Sequence, residues 1–347
     1  MWVNEMSLFV TILSVILIFG FIIFIHELGH FSVAKACGAL VHEFSLGMGP
    51  ALLKKTVGET TYALRLLPIG GFVAVEGEDE DSDNERAINR KPVWQRILFV
   101  GAGAFMNVLF GFILMIIIVS NQELVSTTTV AQFQEGATSS QVLQIGDKIL
   151  KVNGTPVHIG NDIMFEFISI GTEPVDLTVI RDGETMVLED VPFPQETIDG
   201  ITMASMDFLV YGQEKTVLNT LKEAWHMTTG VVKQVWDSFF KLVTGQYKVQ
   251  QLSGPVGVST AIGEAASLGL ENLLLMVAFI TINIGVFNLI PLPALDGGRL
   301  FFLLIEAVRG KPIPAKYEGL IHAAGLFLLM GLMLFVTFND VVKLLFA

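Results

Sequence analysis

The sequence contains few charges and few basic residues, and each shortage excludes a class of protein. Only 16% of its 347 residues are charged and 52% are hydrophobic, and the mean hydropathy is +0.62. Soluble globular chains carry about 25% charged residues. This chain therefore has too few charges to cover a soluble surface and too much apolar mass to be disordered. A formal net charge of −13 excludes nucleic acid as a partner, because nucleic acid requires a basic surface.

Cysteine is almost absent. The single residue, Cys37, cannot form an internal disulfide, and it cannot build a cysteine-rich zinc or iron–sulfur site. Any metal site in this chain must therefore use histidine and carboxylate ligands.

Charge is missing altogether from four long stretches, at 6–25, 97–119, 272–295 and 319–339. Each is long enough to cross a hydrocarbon core of about 30 Å as a helix. The alternative, four buried helices of a soluble protein, is disfavoured because a soluble core rarely hides so many such runs. The first stretch is not expected to be a cleavable signal peptide, because Glu5 precedes it and no basic residue does.

The few basic residues predict how the chain is oriented in the membrane. Eight Lys or Arg residues lie between the first and second stretches, and four follow the third. Because cytoplasmic loops are enriched in Lys and Arg, both loops are expected in the cytoplasm and both termini outside.

The segment between the second and third stretches reads as ordinary soluble sequence. Short apolar runs around Gly-Asp and Asn-Gly turns predict a small β domain at about 126–194. Apolar residues then recur at helical spacing, which predicts an amphipathic helix. The helix is expected either to lie on the outer membrane face or to pack on the β domain, and the sequence does not decide between these two positions. The residues that define its apolar face are Leu218, Leu221, Trp225, Val232, Val235, Phe239 and Val243.

Two features of the first cytoplasmic loop are notable. Alternation and a glycine pair within Thr60–Val75 suggest a hairpin. The run 76–85 contains seven carboxylates and is interpreted as a solvated loop, with a calcium site as the less favoured alternative because the ligand spacing is absent.

The strongest chemical signal is His26-Glu27-Leu28-Gly29-His30, at the end of the first stretch. An H-E-x-x-H pattern on a helix places both imidazoles on one face, where they can share Zn²⁺. Glu27 then faces the attacking water as a general base. Two structural histidines are the alternative, but ionisable residues within a membrane span are costly unless they have a function.

Zinc requires a third protein ligand, and two candidates lie at the same membrane level. Asp296 follows the third stretch and His322 begins the fourth. Asp296 is the better placed, because prolines precede it and Gly297-Gly298 follow, so the backbone can bend toward a metal. His322 is the second choice.

The H-E-x-x-H motif, together with Asn-Leu-Ile-Pro-Leu-Pro-Ala-Leu-Asp-Gly at 288–297, resembles the site-2 protease (M50) family of intramembrane zinc metalloproteases. The bacterial, PDZ-containing branch of the RseP/RasP type is the most similar. The segment 68–73 resembles the membrane-associated β-loop of the family, and the turns at 145–147 and 153–154 resemble those of its PDZ domain. The resemblance implies zinc ligands at His26, His30 and Asp296, a base at Glu27, and substrate contacts at Asn288, Pro291, Pro293, Gly70, Gly71 and Phe72.

We therefore expect a polytopic α-helical membrane protein: four transmembrane helices, a membrane-associated β-loop and one extracytoplasmic PDZ-like, β-rich domain. The first expected domain, 1–125, holds helices one and two, the H-E-x-x-H motif and the cytoplasmic β-loop. The PDZ-like domain follows at 126–197. Next come an extracytoplasmic linker with the amphipathic helix at 198–270 and helices three and four at 271–347. Many bacterial relatives carry two tandem PDZ domains, whereas this chain has room for one.

The resemblance implies hydrolysis of peptide bonds within transmembrane segments of other membrane proteins. Expected substrates are a pre-cleaved anti-sigma factor or remnant signal peptides. The expected location is the bacterial plasma (inner) membrane as a multi-pass protein, in contact with the lipid bilayer. The active site is expected near the cytoplasmic side, and the PDZ-like domain is expected to be extracytoplasmic. Whether that domain binds peptides or only excludes bulky substrates stays open.

Two other functional classes compete with a protease. A non-catalytic PDZ membrane scaffold would not need the general base Glu27. A metal transporter should carry ionisable residues at the membrane midplane and paired repeats, whereas here they cluster at one level and no repeat is evident.

Overall fold

The chain divides into two compact units. The computed structural model describes residues 2–78, 80, 82–198, 201–247 and 252–346. One unit comprises Met1–Gly111 and Leu252–Ala347, and the other comprises Phe112–Gln251. The boundary between them falls within a single continuous helix, α2.

Helices dominate the first unit. Four helices in the described part of the chain are long and apolar enough to cross a membrane, which confirms the predicted number. The third ends at Leu289, before the two prolines, and a separate helix begins at Asp296. The helices are α1 (Trp2–Ala36), α2 (Val93–Asn121), α5 (Pro255–Ser267), α6 (Leu270–Leu289), α7 (Asp296–Arg309) and α8 (Ala315–Phe346).

A β-hairpin completes this unit. Strands β1 (Val41–Val57) and β2 (Thr60–Val75) are joined by a turn at Gly58, whose φ of +64° suits glycine. The hairpin expected inside Thr60–Val75 alone is therefore corrected, because the partner strand precedes this segment. Residues 43–46 pair both with 61–64 and with 71–74, so β2 crosses from one side of β1 to the other. The hairpin packs on α1 through Phe44, Val73 and Ala34.

The acidic run contains ion pairs rather than a carboxylate cluster, as far as the structure describes it. Glu76 accepts hydrogen bonds from Ser82 and His42, and Asp83 pairs with Arg90. Glu78 pairs with Arg299 of α7. Asp79 and Asp81 lie outside the described residues.

The second unit is a β-sheet with two helices. Its antiparallel sheet has the order β10-β3-β4-β6-β7, with β5 paired to β4. A separate pair, β8 and β9, follows β7 in the chain. The sheet extends past residue 197, where the PDZ-like domain was expected to end, because β10 pairs with β3. The elements are β3 (Leu124–Phe133), β4 (Lys148–Val152), β5 (Thr155–Pro156), α3 (Gly160–Ile170), β6 (Val175–Arg181), β7 (Glu184–Val191), β8 (Gln195–Ile198), β9 (Ile201–Ala204), β10 (Phe208–Glu214) and α4 (Val217–Val243).

Helix α4 packs on the β domain, which was one of its two expected positions. The buried face includes Ala224, Met227 and Val235, whereas Leu218 is 79% exposed. Of the predicted apolar face, Val235 is buried and Val232 and Phe239 are half-buried, whereas Leu221, Trp225 and Val243 are exposed like Leu218. A position of this exposed apolar side on the membrane surface stays a prediction. The buried carboxyl of Glu223 fixes the helix to β3 by accepting hydrogen bonds from the Ser126 N–H and Oγ–H, at 3.0 and 2.8 Å. Burial raises the pKa of Glu223.

A buried carboxylate in α8 holds the start of α5. Asp340 is 5% exposed, and its Oδ2 accepts the N–H groups of Gly254 and Gly257, each at 2.9 Å. A Cβ at Gly254 would lie 2.8 Å from the same oxygen. This contact explains the Gly-Pro-Val-Gly sequence at 254–257, because the first N–H groups of a helix need an acceptor.

We expect Asp340→Ala to lower the thermal unfolding midpoint of the purified protein in detergent, measured by tryptophan fluorescence. Two buried N–H groups lose their acceptor, each at a cost of about 1–3 kcal/mol. Asp340→Asn keeps an acceptor oxygen and should lose clearly less stability. The exposed Thr260→Ala, in α5, serves as a control. Equal midpoints for Asp340→Ala and Asp340→Asn would contradict this account.

Candidate metal centre

Two histidines of α1 present ring nitrogens to the same point. His26 and His30 are one turn apart on a continuous helix, and their Nε2 atoms are 3.1 Å apart. His30 Nδ1 lies 2.9 Å from the carbonyl oxygen of Phe99 in α2. A carbonyl can only accept, so Nδ1 carries the proton and the lone pair of Nε2 faces inward.

Asp296, the first residue of α7, brings a carboxylate to this point. Its Oδ2 lies 3.2 Å from His26 Nε2 and 3.5 Å from His30 Nε2. This oxygen is buried and has no hydrogen-bond partner among the described residues. Zn²⁺ with ligand bonds of about 2.0–2.2 Å separates tetrahedral ligand atoms by about 3.3–3.6 Å. The separation of 3.5 Å lies in this range, and those of 3.1 and 3.2 Å are slightly shorter, so a small outward movement of the ligands admits a zinc ion. A cation would also relieve the mutual repulsion of three electron-rich atoms.

Glycine makes the space for this arrangement. A Cβ added at Gly103 of α2 would lie 2.4 Å from His30 Nε2 and 2.7 Å from His26 Nε2. A Cβ at Gly29 would lie 2.4 Å from the carbonyl oxygen of Ala102. Helices α1 and α2 thus approach backbone to backbone at the metal centre, and only hydrogen atoms fit between them.

The outward nitrogen of His26 also faces a polar group. The amide of Asn107, whose residue is fully buried, lies 3.4 Å from His26 Nδ1. The atom at this distance is the amide nitrogen Nδ2, whereas Asn107 Oδ1 is buried without a hydrogen-bond partner among the described residues. Turning the amide over gives Oδ1 a partner, because it then accepts the Nδ1 proton and leaves the Nε2 lone pair for a metal. Phe99 and Asn107, both on α2, thus orient the two imidazoles.

His322, the second choice as third ligand, has a different contact. Its Nδ1 accepts the N–H of Ala294 at 2.9 Å, two residues before Asp296. Ala294 has a φ of +75°, which is unfavourable for a residue with a side chain. A Cβ at Gly325 of α8 would meet Pro293 at 2.4 Å. Helix α8 therefore holds the loop that delivers Asp296, and His322 is not part of the three-residue cluster.

The general-base candidate lies beside the β-hairpin. Glu27 is half-buried, and its side chain makes no hydrogen bond to any residue that the structure describes. A Cβ at Gly71 of β2 would lie 3.1 Å from Glu27 Cγ and 3.1 Å from Ile23 Cγ2. The strand therefore passes against the catalytic face of α1 where it has no side chain.

The other predicted substrate contacts fall into two groups. Gly70 and Phe72 flank Gly71 on β2, and the Phe72 ring stacks under the Arg65 guanidinium at 5.1 Å. Asn288 lies in the last turn of α6, and its side chain has no hydrogen bond within the described residues. Pro291 is exposed and Pro293 is half-buried in the loop before Asp296.

Sequence reasoning missed three residues of this centre, Phe99, Gly103 and Asn107, and it missed the structural role of His322. One signal was available. The run Gly-Ala-Gly-Ala at 101–104 is a stripe of small residues in a membrane span, and such stripes mark close helix packing. The sequence alone does not say which helix it meets.

Comparison with known families supports this geometry. Residues 14–332 match the family described as Peptidase family M50. The match covers both histidines, Glu27 and Asp296, the whole of α2 and α6, and parts of α1 and α8.

Individual relatives extend over nearly the whole chain. A protein of Clostridium perfringens, provisionally named a zinc metalloprotease, is 36% identical over 332 residues, covering 95% of this chain and 98% of the relative. The regulator of sigma-W protease of Bacillus subtilis is 31% identical over 422 positions, which cover 96% of this chain and 99% of the relative. A zinc metalloprotease of Geobacillus kaustophilus is 31% identical, and the match covers 96% of this chain and 98% of the relative.

We predict that Gly103→Ala abolishes zinc binding, because the added methyl group would occupy the space between the two Nε2 atoms. The measurement is zinc per chain by mass spectrometry after purification in detergent. Gly101→Ala is the matched control, since its Cβ would meet only Leu300 Cδ1 at 4.0 Å. A full zinc content in Gly103→Ala would contradict the helix packing described here.

Proposed function

Because the chain belongs to peptidase family M50, we propose that it is an intramembrane zinc metalloprotease acting on membrane-spanning segments of other proteins. One observation carries the proposal: His26, His30 and Asp296 converge beside Glu27 at the end of a membrane-spanning helix. The names of the relatives support zinc as the metal.

Each residue of the centre has a distinct task. His26, His30 and Asp296 hold the metal, while Phe99 and Asn107 orient the two imidazoles. When bound, zinc acts as a Lewis acid toward the scissile carbonyl and makes water more acidic. Glu27 accepts the proton of the attacking water and returns it to the leaving amine nitrogen.

The substrate must unwind before its carbonyl can be reached, because a helix keeps its carbonyls in internal hydrogen bonds. Residues 71–74 pair on one side with 43–46, and no described strand pairs on their other side. This edge can add an extended substrate segment as a further strand, and Gly71 places it beside Glu27. Asn288 and the loop with Pro291 and Pro293 supply the remaining contacts.

The substrates that we propose are single-span membrane proteins trimmed outside the membrane, such as a pre-cleaved anti-sigma factor, or remnant signal peptides. The name of the Bacillus subtilis relative, a regulator of sigma-W protease, supports the first class. The β-rich second unit, which we propose to be PDZ-like, would screen substrates without taking part in the chemistry.

We further propose a multi-pass location in the bacterial plasma membrane. Bacterial relatives support this membrane, and the excess of Lys and Arg in two loops supports a cytoplasmic position of the metal centre. The same rule places the PDZ-like unit on the extracytoplasmic side.

The decisive test is Glu27→Gln. We expect this variant to keep its zinc and to lose cleavage by roughly 10²–10⁴-fold, because the ligands remain and the proton acceptor is gone. The assay is cleavage of a purified single-span substrate in detergent, with the exposed Glu264→Gln as control. Unchanged cleavage would remove Glu27 from the mechanism. Zinc-loaded wild type that cuts none of a panel of single-span proteins would favour the scaffold, and zinc uptake into liposomes would favour the transporter.

Two variants distinguish loss of a metal ligand, Asp296→Ala, from loss of a residue that holds the loop before Asp296, His322→Ala. We expect Asp296→Ala to lose both zinc and activity. His322→Ala should keep its zinc, because His322 hydrogen-bonds the backbone N–H of Ala294 and is not a member of the ligand cluster, and its activity should fall as the loop loosens. Metal analysis and cleavage of both variants decide this. Full zinc in Asp296→Ala would transfer the third-ligand role to another residue.

A further inference from the structure

A second group of metal-binding side chains lies in the second unit. His158 lies two residues before α3, Asp162 lies in the first turn of α3, and His226 lies on α4. The two imidazole rings stack with centroids 4.4 Å apart and an interplanar angle of 18°. Both Nδ1 atoms face the same carboxylate oxygen of Asp162, at 3.7 Å from His158 and 3.8 Å from His226.

These distances are too long for hydrogen bonds. Among the described residues, neither imidazole has a hydrogen-bond partner for its ring nitrogens, although the His226 side chain is only 20% exposed. Two imidazoles therefore point unused ring nitrogens at one carboxylate.

The carboxylate itself is fixed in place. Asp162 Oδ2 accepts the backbone N–H of His158 at 2.8 Å and that of Ile159 at 3.3 Å. Carboxylates that ligate metals are commonly held by such outer hydrogen bonds. Capping of α3 alone would account for Asp162, but it does not account for two imidazoles brought to the same oxygen from separate elements.

The spacing is close to that of a metal site. The three ligand atoms lie within 4.8 Å of one another, and tetrahedral Zn²⁺ needs separations of about 3.3–3.6 Å. The two His–Asp distances exceed this range by a few tenths of an ångström, and the stacked imidazoles must turn so that both ring nitrogens face one ion. The His158 side chain is 47% exposed and precedes the helix, so it is free to make this shift.

A cavity of about 350 Å³ adjoins the group, and its lining includes all three residues. Nearby charges have both signs: Glu166 pairs with Lys233 at 2.5 Å, and Lys222 lies near His226. Three protein ligands leave one position of a four-coordinate metal for water or for an anionic ligand from the cavity.

We propose that His158, Asp162 and His226 form a second divalent-metal site, of the zinc class, that joins α3 to α4. Two imidazoles and one carboxylate are a ligand set that Zn²⁺ and Co²⁺ accept, whereas Mg²⁺ and Ca²⁺ prefer oxygen ligands only. The site does not depend on the proposed protease activity.

The test uses the full chain without a polyhistidine tag, in detergent, with Co²⁺ and Zn²⁺ as probes. In a His26→Ala/His30→Ala background, which silences the first centre, we expect one bound Co²⁺ per chain and a visible absorption band. Adding His226→Ala or Asp162→Asn should remove both. The matched control is His42→Ala, an exposed histidine that pairs with Glu76 in the other unit.

Circular dichroism and gel filtration check that each variant is folded, and Asp162→Asn keeps an oxygen acceptor for the α3 cap. Equal Co²⁺ binding with and without His226 and Asp162, in folded protein, would overturn the site. Absence of Co²⁺ binding in the His26→Ala/His30→Ala background would overturn it as well. Wild-type protein separates the two centres: loss of one Zn²⁺ in His226→Ala tests this site, whereas loss in Asp296→Ala tests the first.

Discussion

The membrane unit depends on one constraint: three electron-rich atoms from two distant parts of the chain must lie within about 3.5 Å of each other. His26 and His30 achieve this through helical periodicity alone, but Asp296 is far along the chain. At the metal centre the backbones of α1 and α2 lie close together, because Gly29 and Gly103 have no side chains to hold them apart. A single methyl group at this crossing would exceed the available space, so the small residues are as necessary as the ligands.

The loop that carries Asp296 shows how a broken helix is kept stable at membrane depth. Every N–H between 290 and 295 is accounted for. The N–H groups of Ile290, Leu292 and Leu295 donate to nearby carbonyls, and that of Ala294 donates to His322. Positions 291 and 293 are proline and have no N–H to satisfy. Gly297 and Gly298 lie against the loop carbonyls. A Cβ added at Gly297 would be 2.1 Å from the carbonyl oxygen of Ile290. Irregular backbone is tolerated in a membrane only under such conditions.

Sequence reasoning was most successful where chemistry allows few choices. The number of spans follows from apolar length, and the H-E-x-x-H motif and Asp296 follow from what zinc accepts. The structure brings those residues together. Gly103 and Asn107 could not be found in this way, because their roles depend on which faces of α1 and α2 meet. Likewise β1, with Lys54 and Lys55 among its residues, has no clear alternation, and its pairing with β2 is a tertiary effect.

The same physics that shapes the Asp296 loop also limits what the enzyme can cut. An unwound substrate segment exposes N–H and C=O groups, and each costs several kcal/mol in an apolar surrounding unless it finds a partner. The enzyme satisfies its own broken helix with prolines, His322 and local turns. For the substrate, the proposed partners are the edge of residues 71–74 and the amide of Asn288, neither of which has a partner among the described residues. Because a Cβ at Gly71 would lie 3.1 Å from Glu27 Cγ, the strand edge is available beside the proposed proton acceptor. A substrate helix therefore gains most from unwinding at the one place where it can be hydrolysed.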